Sequence, residues 1–216
     1  MNKTKIEWTN YTWNPIVGCL KGCSYCYARK IALRFAGDFK PRFFERRLEE
    51  PLQLRTPSKI FVCSMGEMFG DWIPEFWIKN VLDTIRKAYW HTFIILSKQP
   101  HNLPKWTFPP NVWLGITIDG EVDYGTRELL ETNAKIKFVS FEPLLGEVNI
   151  NFEGLDWIII GAQTNPEKQP NQTWVKQLLT EAKKTDIPVF MKNNLKFEPK
   201  IQEFPLASSN KLQRKL

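Results

Sequence analysis

The sequence predicts an α/β domain built on a parallel sheet of six to seven strands, curled into a partial or near-complete (β/α) barrel. Two observations carry this. Short apolar runs recur at 60–63, 92–96, 112–118, 136–141, 157–160 and 188–191, nearly free of polar residues, as strands covered on both faces are. Between several of them lies helical periodicity, at 75–89, 123–134 and 173–185. Strand and helix in alternation imply parallel strands joined by right-handed crossovers, and six or seven of these can begin to close a ring.

The elements follow in order. Residues 6–17 alternate polar with apolar and are rich in Trp, Tyr, Thr, Ile and Val, a strand composition that leads into the loop at 18–28. Tyr25, Ala28, Ala32 and Phe35 recur at helical spacing, with Gly37 beyond as a stop. Residues 38–58 form a basic, proline-bounded insertion placed to cover a site or meet substrate. Between 97 and 111, Pro100, Pro104, Pro109 and Pro110 preclude a long helix. The domain is expected to span residues 1–192. Residues 193–216 form a basic C-terminal extension, most simply a solvated tail.

The 216 residues suffice for one sizeable core, and 43% hydrophobic with 25% charged residues is ordinary for a globular protein. Nine Trp and 15 Phe are more aromatics than a core alone requires. No apolar run approaches the roughly 20 residues that span a bilayer, and the first residues lack the apolar stretch of a signal peptide, so a cytoplasmic protein without membrane contact is expected. The formal charge of +7 favours polyanionic or phosphate-bearing partners.

Chemistry concentrates at Gly18-Cys19-Leu20-Lys21-Gly22-Cys23-Ser24-Tyr25-Cys26, which holds three of the four cysteines as C-x3-C-x2-C. Three thiolates on one short loop can wrap an inorganic centre, whereas a secreted disulfide framework spreads its cysteines. A [4Fe-4S] cluster takes four thiolates, so three leave one iron for another ligand; a zinc site would need a fourth protein ligand. Cys63 is the spare thiol, either a small buried hydrophobe or a ligand that closes the cluster. His91 and His101 pair with no nucleophile, and no phosphate-cradling glycine motif is present.

C-x3-C-x2-C with an aromatic, Tyr25, before its last cysteine resembles the signature of radical S-adenosylmethionine enzymes. The flanking words Trp8-Thr9, Trp13-Asn14-Pro15, Phe138-Val139-Ser140-Phe141-Glu142-Pro143-Leu144-Leu145-Gly146 and Asp156-Trp157-Ile158-Ile159-Ile160-Gly161 resemble the phage Gp37/Gp68 family. The resemblance implies a partial (β/α)6 barrel. It implies a [4Fe-4S] cluster on Cys19, Cys23 and Cys26, and S-adenosyl-L-methionine on the open iron, cleaved by one electron to a 5′-deoxyadenosyl radical. A flavodoxin- or ferredoxin-type reductant is implied, as is a partner protein of the three-cysteine-motif kind.

In parallel α/β proteins ligand groups gather at the carboxyl ends of strands, and each predicted strand here ends in small or hydrogen-bonding residues. Ser64, Gly66 and Glu67 resemble the end of the superfamily's Gly-Gly-Glu motif, which receives the methionine amino group, although Met65 replaces the first glycine; an ordinary turn is the alternative. Lys98 is a partner for the methionine carboxylate or a phosphate, or a surface lysine. Thr117 and Asp119 suit ribose hydroxyls. Ser140 and Glu142 suit cofactor hydroxyls, ammonium or substrate, or form a structural cap. Gly161 lets adenine approach the backbone or simply ends a strand, and Tyr25 is expected near cluster and adenine.

Three functions follow: a radical enzyme acting on an unidentified substrate, with charge and aromatics favouring a nucleic acid or nucleotide; a nucleic-acid-binding module with a structural metal; and an electron carrier whose cluster Cys63 closes.

Overall fold

The computed structural model describes residues 1–120 and 125–205; the first residues of the helix expected at 123–134, and Lys211, Arg214 and Lys215 of the extension, lie outside the described residues. In chain order the elements are β1 (Asn2–Lys3), β2 (Tyr11–Trp13), β3 (Ile16–Val17), α1 (Tyr27–Ala36), β4 (Arg42–Phe43), α2 (Glu50–Gln53), β5 (Lys59–Val62), α3 (Glu75–Lys87) and β6 (Thr92–Ser97). They continue as β7 (Val112–Thr117), α4 (Thr126–Leu130), β8 (Ile136–Phe141), β9 (Trp157–Ile160), β10 (Gln163–Thr164), β11 (Glu167–Lys168), α5 (Gln172–Lys184) and β12 (Val189–Met191).

The main sheet has eight strands in the order β1-β2-β5-β6-β7-β8-β9-β12. From β2 to β12 every pairing is parallel, and β1 adds an antiparallel edge. The parallel sheet expected from the apolar runs is therefore present, its strands laid side by side in chain order. Among the described residues β1 and β12 stand at its two ends, so the strand ladder is open rather than a closed ring.

Alternation along the strands builds two cores. One face carries Ile60, Val62, Phe93, Ile95, Leu114, Val139 and Ile158 toward α3, α4 and α5. The other carries Phe61, Ile94, Phe138, Trp157, Ile159 and Phe190, closed by Trp8 from the β1–β2 turn. Each such fully buried side chain contributes roughly 1.5–3 kcal/mol by leaving water. α3 presents Ile78, Val81, Leu82 and Ile85, an i, i+3, i+4, i+7 stripe, to the first core. Asn171 caps α5 by accepting from Thr173 N–H at 3.0 Å. Between β6 and β7 the prolines leave only a 3₁₀ segment, Pro100–Lys105.

Three regions differ from the sequence reading. Residues 6–10 form a turn rather than strand, because Trp8 folds back onto Phe61 with ring centroids 4.8 Å apart. The basic insertion divides: Phe39 holds the cysteine loop, while Phe43 stacks on Trp77 of α3 and the Arg47 carbonyl accepts from Trp13 Nε1 at 2.7 Å. Residues 193–205 are no solvated tail. Met191 N–H donates to Ile201 and Glu203 N–H to Val189, and Phe204 stacks on Trp157 with centroids 5.6 Å apart. The second core lacked a cover at its lower end, and this segment supplies it.

Candidate functional site

The cysteine loop is anchored at the carboxyl end of the sheet by its first glycine. Gly18 N–H donates to the Met65 carbonyl at 2.9 Å and its own carbonyl accepts from Glu67 N–H at 3.1 Å, a strand-like bridge to Gly66. Gly18 has φ +88, and a Cβ there would meet the Lys40 carbonyl oxygen at 2.3 Å, so only glycine fits. Cys19 N–H donates to the Phe39 carbonyl at 3.0 Å, and Lys21 Nζ donates to the Lys98 carbonyl at 2.7 Å. Cys26 caps α1, its Sγ accepting from Arg29 N–H at 3.4 Å.

Cys19, Cys23 and Cys26 are unpaired and half-buried. Burial pushes the Cys19 thiol up to about 11; the Lys21 N–H offsets part of this, and the negative fields of Glu67, Cys23 and Cys26 add to it. The thiols thus lie within one another's electrostatic reach. Among the described residues no three His, Cys, Asp or Glu side chains stand close enough to enclose a metal ion. A centre held by all three cysteines requires their side chains to turn inward from the loop. The donor set fits such a group: three free thiols on one strapped loop, with no His, Asp or Glu between residues 8 and 37 to compete. Cys63 stands in a different environment. It is buried in the helix-side core, receives the Ile16 backbone N–H, and is pushed up to about 12 by burial.

The next strand ends supply a charged wall. Glu67 is buried, and its carboxylate accepts from Ser97 Oγ at 2.8 Å and Phe69 N–H at 3.0 Å on one oxygen and from Lys98 N–H at 2.8 Å on the other. It clamps the turn after β5 to the end of β6, leaving about one of a carboxylate's four lone-pair positions for anything else. Ser64 sits in the same turn, where its Oγ donates to Asn14 Oδ1 at 3.2 Å and its carbonyl accepts from Tyr27 Oη at 2.6 Å. Lys98 Nζ is buried with no hydrogen-bond partner, 5.3 Å from the centroid of the Tyr25 ring. Burial lowers its pKa, while Cys23, Asp119 and Glu67 work the other way.

Tyr25 donates its hydroxyl to Asp119 and is held protonated by burial, by that bond and by the adjacent negative charges. One layer deeper, Thr117 and Ser140 are direct neighbours across β7 and β8; Ser140 is fully buried and its Oγ has no hydrogen-bond partner. Glu142 follows Ser140 on the same face and pairs with Lys192 from the end of β12. Gly161 lies beneath that pair: a Cβ would meet Glu142 Cγ and Lys192 Cδ, each at 3.1 Å.

Tyr25, Lys98, Asp119, Glu67 and the cysteines therefore share one neighbourhood, and Thr117, Ser140, Glu142 and Gly161 line the face beside it. Sequence reading placed Lys192 among the polar residues that follow the apolar strands but gave it neither a specific role nor Glu142 as its partner. It likewise missed Asn14, whose Oδ1 also accepts from Met65 N–H at 2.9 Å and whose signal was the Trp13-Asn14-Pro15 word. Lys21, between two of the cysteines, was passed over too.

Among solved structures, similarity is found to a spore photoproduct lyase complexed with a dinucleoside spore photoproduct, at 9% identity and a TM-score of 0.47, over 85% of this chain and 63% of that one. The chain therefore spans less than two thirds of that protein's length. No curated protein matches the sequence. The family described as "Protein of unknown function (DUF5131)" matches residues 3–214, and the chain belongs to that family.

Proposed function

We propose that the chain is a radical S-adenosylmethionine enzyme in which Cys19, Cys23 and Cys26 hold a [4Fe-4S] cluster and the neighbouring strand ends hold S-adenosylmethionine. The observation that carries this reading is three unpaired thiols on one loop, strapped through Gly18 to the turn after β5 at the carboxyl end of a parallel sheet. When bound, these groups supply a one-electron cleavage of S-adenosylmethionine to methionine and a 5′-deoxyadenosyl radical.

The chain's own residues bind, orient and keep out water. Lys98, a dry ammonium without a hydrogen-bond partner, suits a carboxylate or a phosphate. Ser140 Oγ and Thr117 suit ligand hydroxyls, and the Glu142–Lys192 pair offers both signs of charge beside them. Gly161, having no side chain, makes room for that pair to lie over its backbone. The substrate we propose is a nucleic acid or nucleotide, in line with the charge of +7. The burial of Cys63 in the helix-side core favours an open cluster over a carrier closed by a fourth cysteine.

The test is anaerobic reconstitution with iron and sulfide, then electron paramagnetic resonance of the reduced protein with and without S-adenosylmethionine. A [4Fe-4S]+ signal that shifts with S-adenosylmethionine, and is lost in Cys19→Ala, Cys23→Ala and Cys26→Ala, is expected. An unshifted signal would leave the carrier reading standing, and stoichiometric zinc without iron would leave the structural-metal reading.

A further inference from the structure

α1 is unusual in how little of it is packed: only Ala28 is buried. Among the described residues seven large hydrophobic side chains are left exposed, and five of them, Leu20, Tyr27, Ile31, Leu33 and Phe35, fall on the cysteine loop and this one helix. Tyr27, Ile31 and Phe35 recur every four residues, so they form one stripe along it. Phe35 is 78% exposed, which costs solvation for nothing unless something covers it. Charge accompanies the stripe. Between residues 8 and 37 the chain has four basic residues, Lys21, Arg29, Lys30 and Arg34, and no acidic one. Lys30 and Arg34 directly precede Ile31 and Phe35, placing cations along the edge of the apolar strip.

We propose that this face of α1 and the adjoining loop is the docking surface for an acidic electron-donor protein of the flavodoxin class. An apolar centre with a cationic rim matches a protein surface whose own apolar contact is ringed by carboxylates. At the centre of the stripe Ile31 is aliphatic and offers a nucleic-acid base no stacking surface, which sets a protein above a nucleic acid here. The position decides which protein: Cys26 is the N-cap of α1, so a partner seated on the helix lies beside the thiols. One electron leaves the donor's flavin hydroquinone, which becomes the semiquinone, and is accepted at the centre held by the three cysteines; no atom is transferred. The inference rests on the radical-enzyme reading and adds to it the face from which the electron arrives.

The experiment compares the reconstituted wild type with Lys30→Glu/Arg34→Glu and with Phe35→Ser, none of which touches a residue placed at the cofactor site. Binding of oxidised flavodoxin is measured by flavin fluorescence at two salt concentrations, and S-adenosylmethionine cleavage is driven in parallel by reduced flavodoxin and by dithionite. The expected result is a Kd for flavodoxin raised about tenfold or more in the charge-reversed variant, with a flatter salt dependence. Phe35→Ser weakens binding at both salts, and dithionite-driven cleavage is unchanged in both variants. Equal flavodoxin binding by all three proteins overturns the proposal. So does a wild type that self-associates through α1, or one whose α1 variants lose affinity for anionic phosphatidylglycerol vesicles but not for flavodoxin. If wild type fails to cleave S-adenosylmethionine even with dithionite, it is the radical-enzyme reading that falls, while the binding measurement still judges the docking face.

Discussion

Replacing Glu67 by Ala tests whether that carboxylate is the clamp between β5 and β6. The side chain is 5% exposed and accepts three hydrogen bonds, two from backbone N–H groups and one from Ser97 Oγ. Truncation strands the Phe69 and Lys98 N–H groups and removes one partner of Ser97, and a buried donor left unsatisfied costs roughly 1–3 kcal/mol. For the two stranded N–H groups the loss is then about 2–6 kcal/mol from a total that is typically about 5–15 kcal/mol. At a urea slope of about 3 kcal/mol per M the unfolding midpoint falls by about 0.7–2 M. Glu67→Gln keeps an acceptor for Ser97 and Phe69 but turns an amide N–H₂ toward the Lys98 N–H, so it loses less than the alanine variant and more than nothing. Urea denaturation followed by tryptophan fluorescence reads all three proteins. If Glu67→Ala unfolds within 0.2 M of wild type, the carboxylate is not a structural clamp and its three contacts carry no net stability.

Further expectations follow from the same geometry. Gly18→Ala forces a side chain into the Lys40 carbonyl at positive φ, so it should lower stability by more than about 2 kcal/mol and reduce iron uptake on reconstitution, measured by denaturation and metal analysis. Phe204→Ala uncovers Trp157 and should cost about 1–3 kcal/mol with a red shift in tryptophan emission, whereas an unshifted spectrum would contradict the packing of residues 193–205. Cys63 should resist alkylation at pH 8.5 while the half-exposed Cys23 and Cys26 react and Cys19, pushed up to about 11, reacts more slowly than those two, as read by mass spectrometry of the apoprotein. Folded Cys63 keeps its proton up to about 12 while the unfolded thiol loses its proton near 9.0, so its contribution to stability is intact below 9 and declines as pH rises through that window. Cys63→Ala should remove that part of the decline.

The six strands expected from apolar runs were legible because their residues are mostly apolar and buried, and Trp157–Ile160 is the clearest, with all four positions buried. The prolines of the β6–β7 connection were equally direct. The carboxyl-end rule found Lys98, Asp119, Ser140 and Glu142, since polar residues following an apolar strand have few other places to go. What sequence could not show was which way those groups turn. Glu67 turns inward to Ser97 and the Lys98 N–H, 30 and 31 residues on at the end of the next strand, and Lys192 meets Glu142 across 50 residues. The tail reading of residues 193–205 failed for a related reason: composition sees the lysines, while Phe204 finds an uncovered Trp157 only once the sheet exists.

Because neighbours in the sheet are also successive in the chain, each strand emerging during synthesis meets a partner already made. The cysteine loop is the exception to this order. Its thiols are made before the groups that fix it: the Phe39 carbonyl, then Met65 and Glu67, and finally the Lys98 carbonyl that receives Lys21. A nascent chain that ends before Lys98 owns all three cysteines without the frame that aims them, so completing β6 is the step at which a loose thiol-bearing segment becomes a rigid mouth.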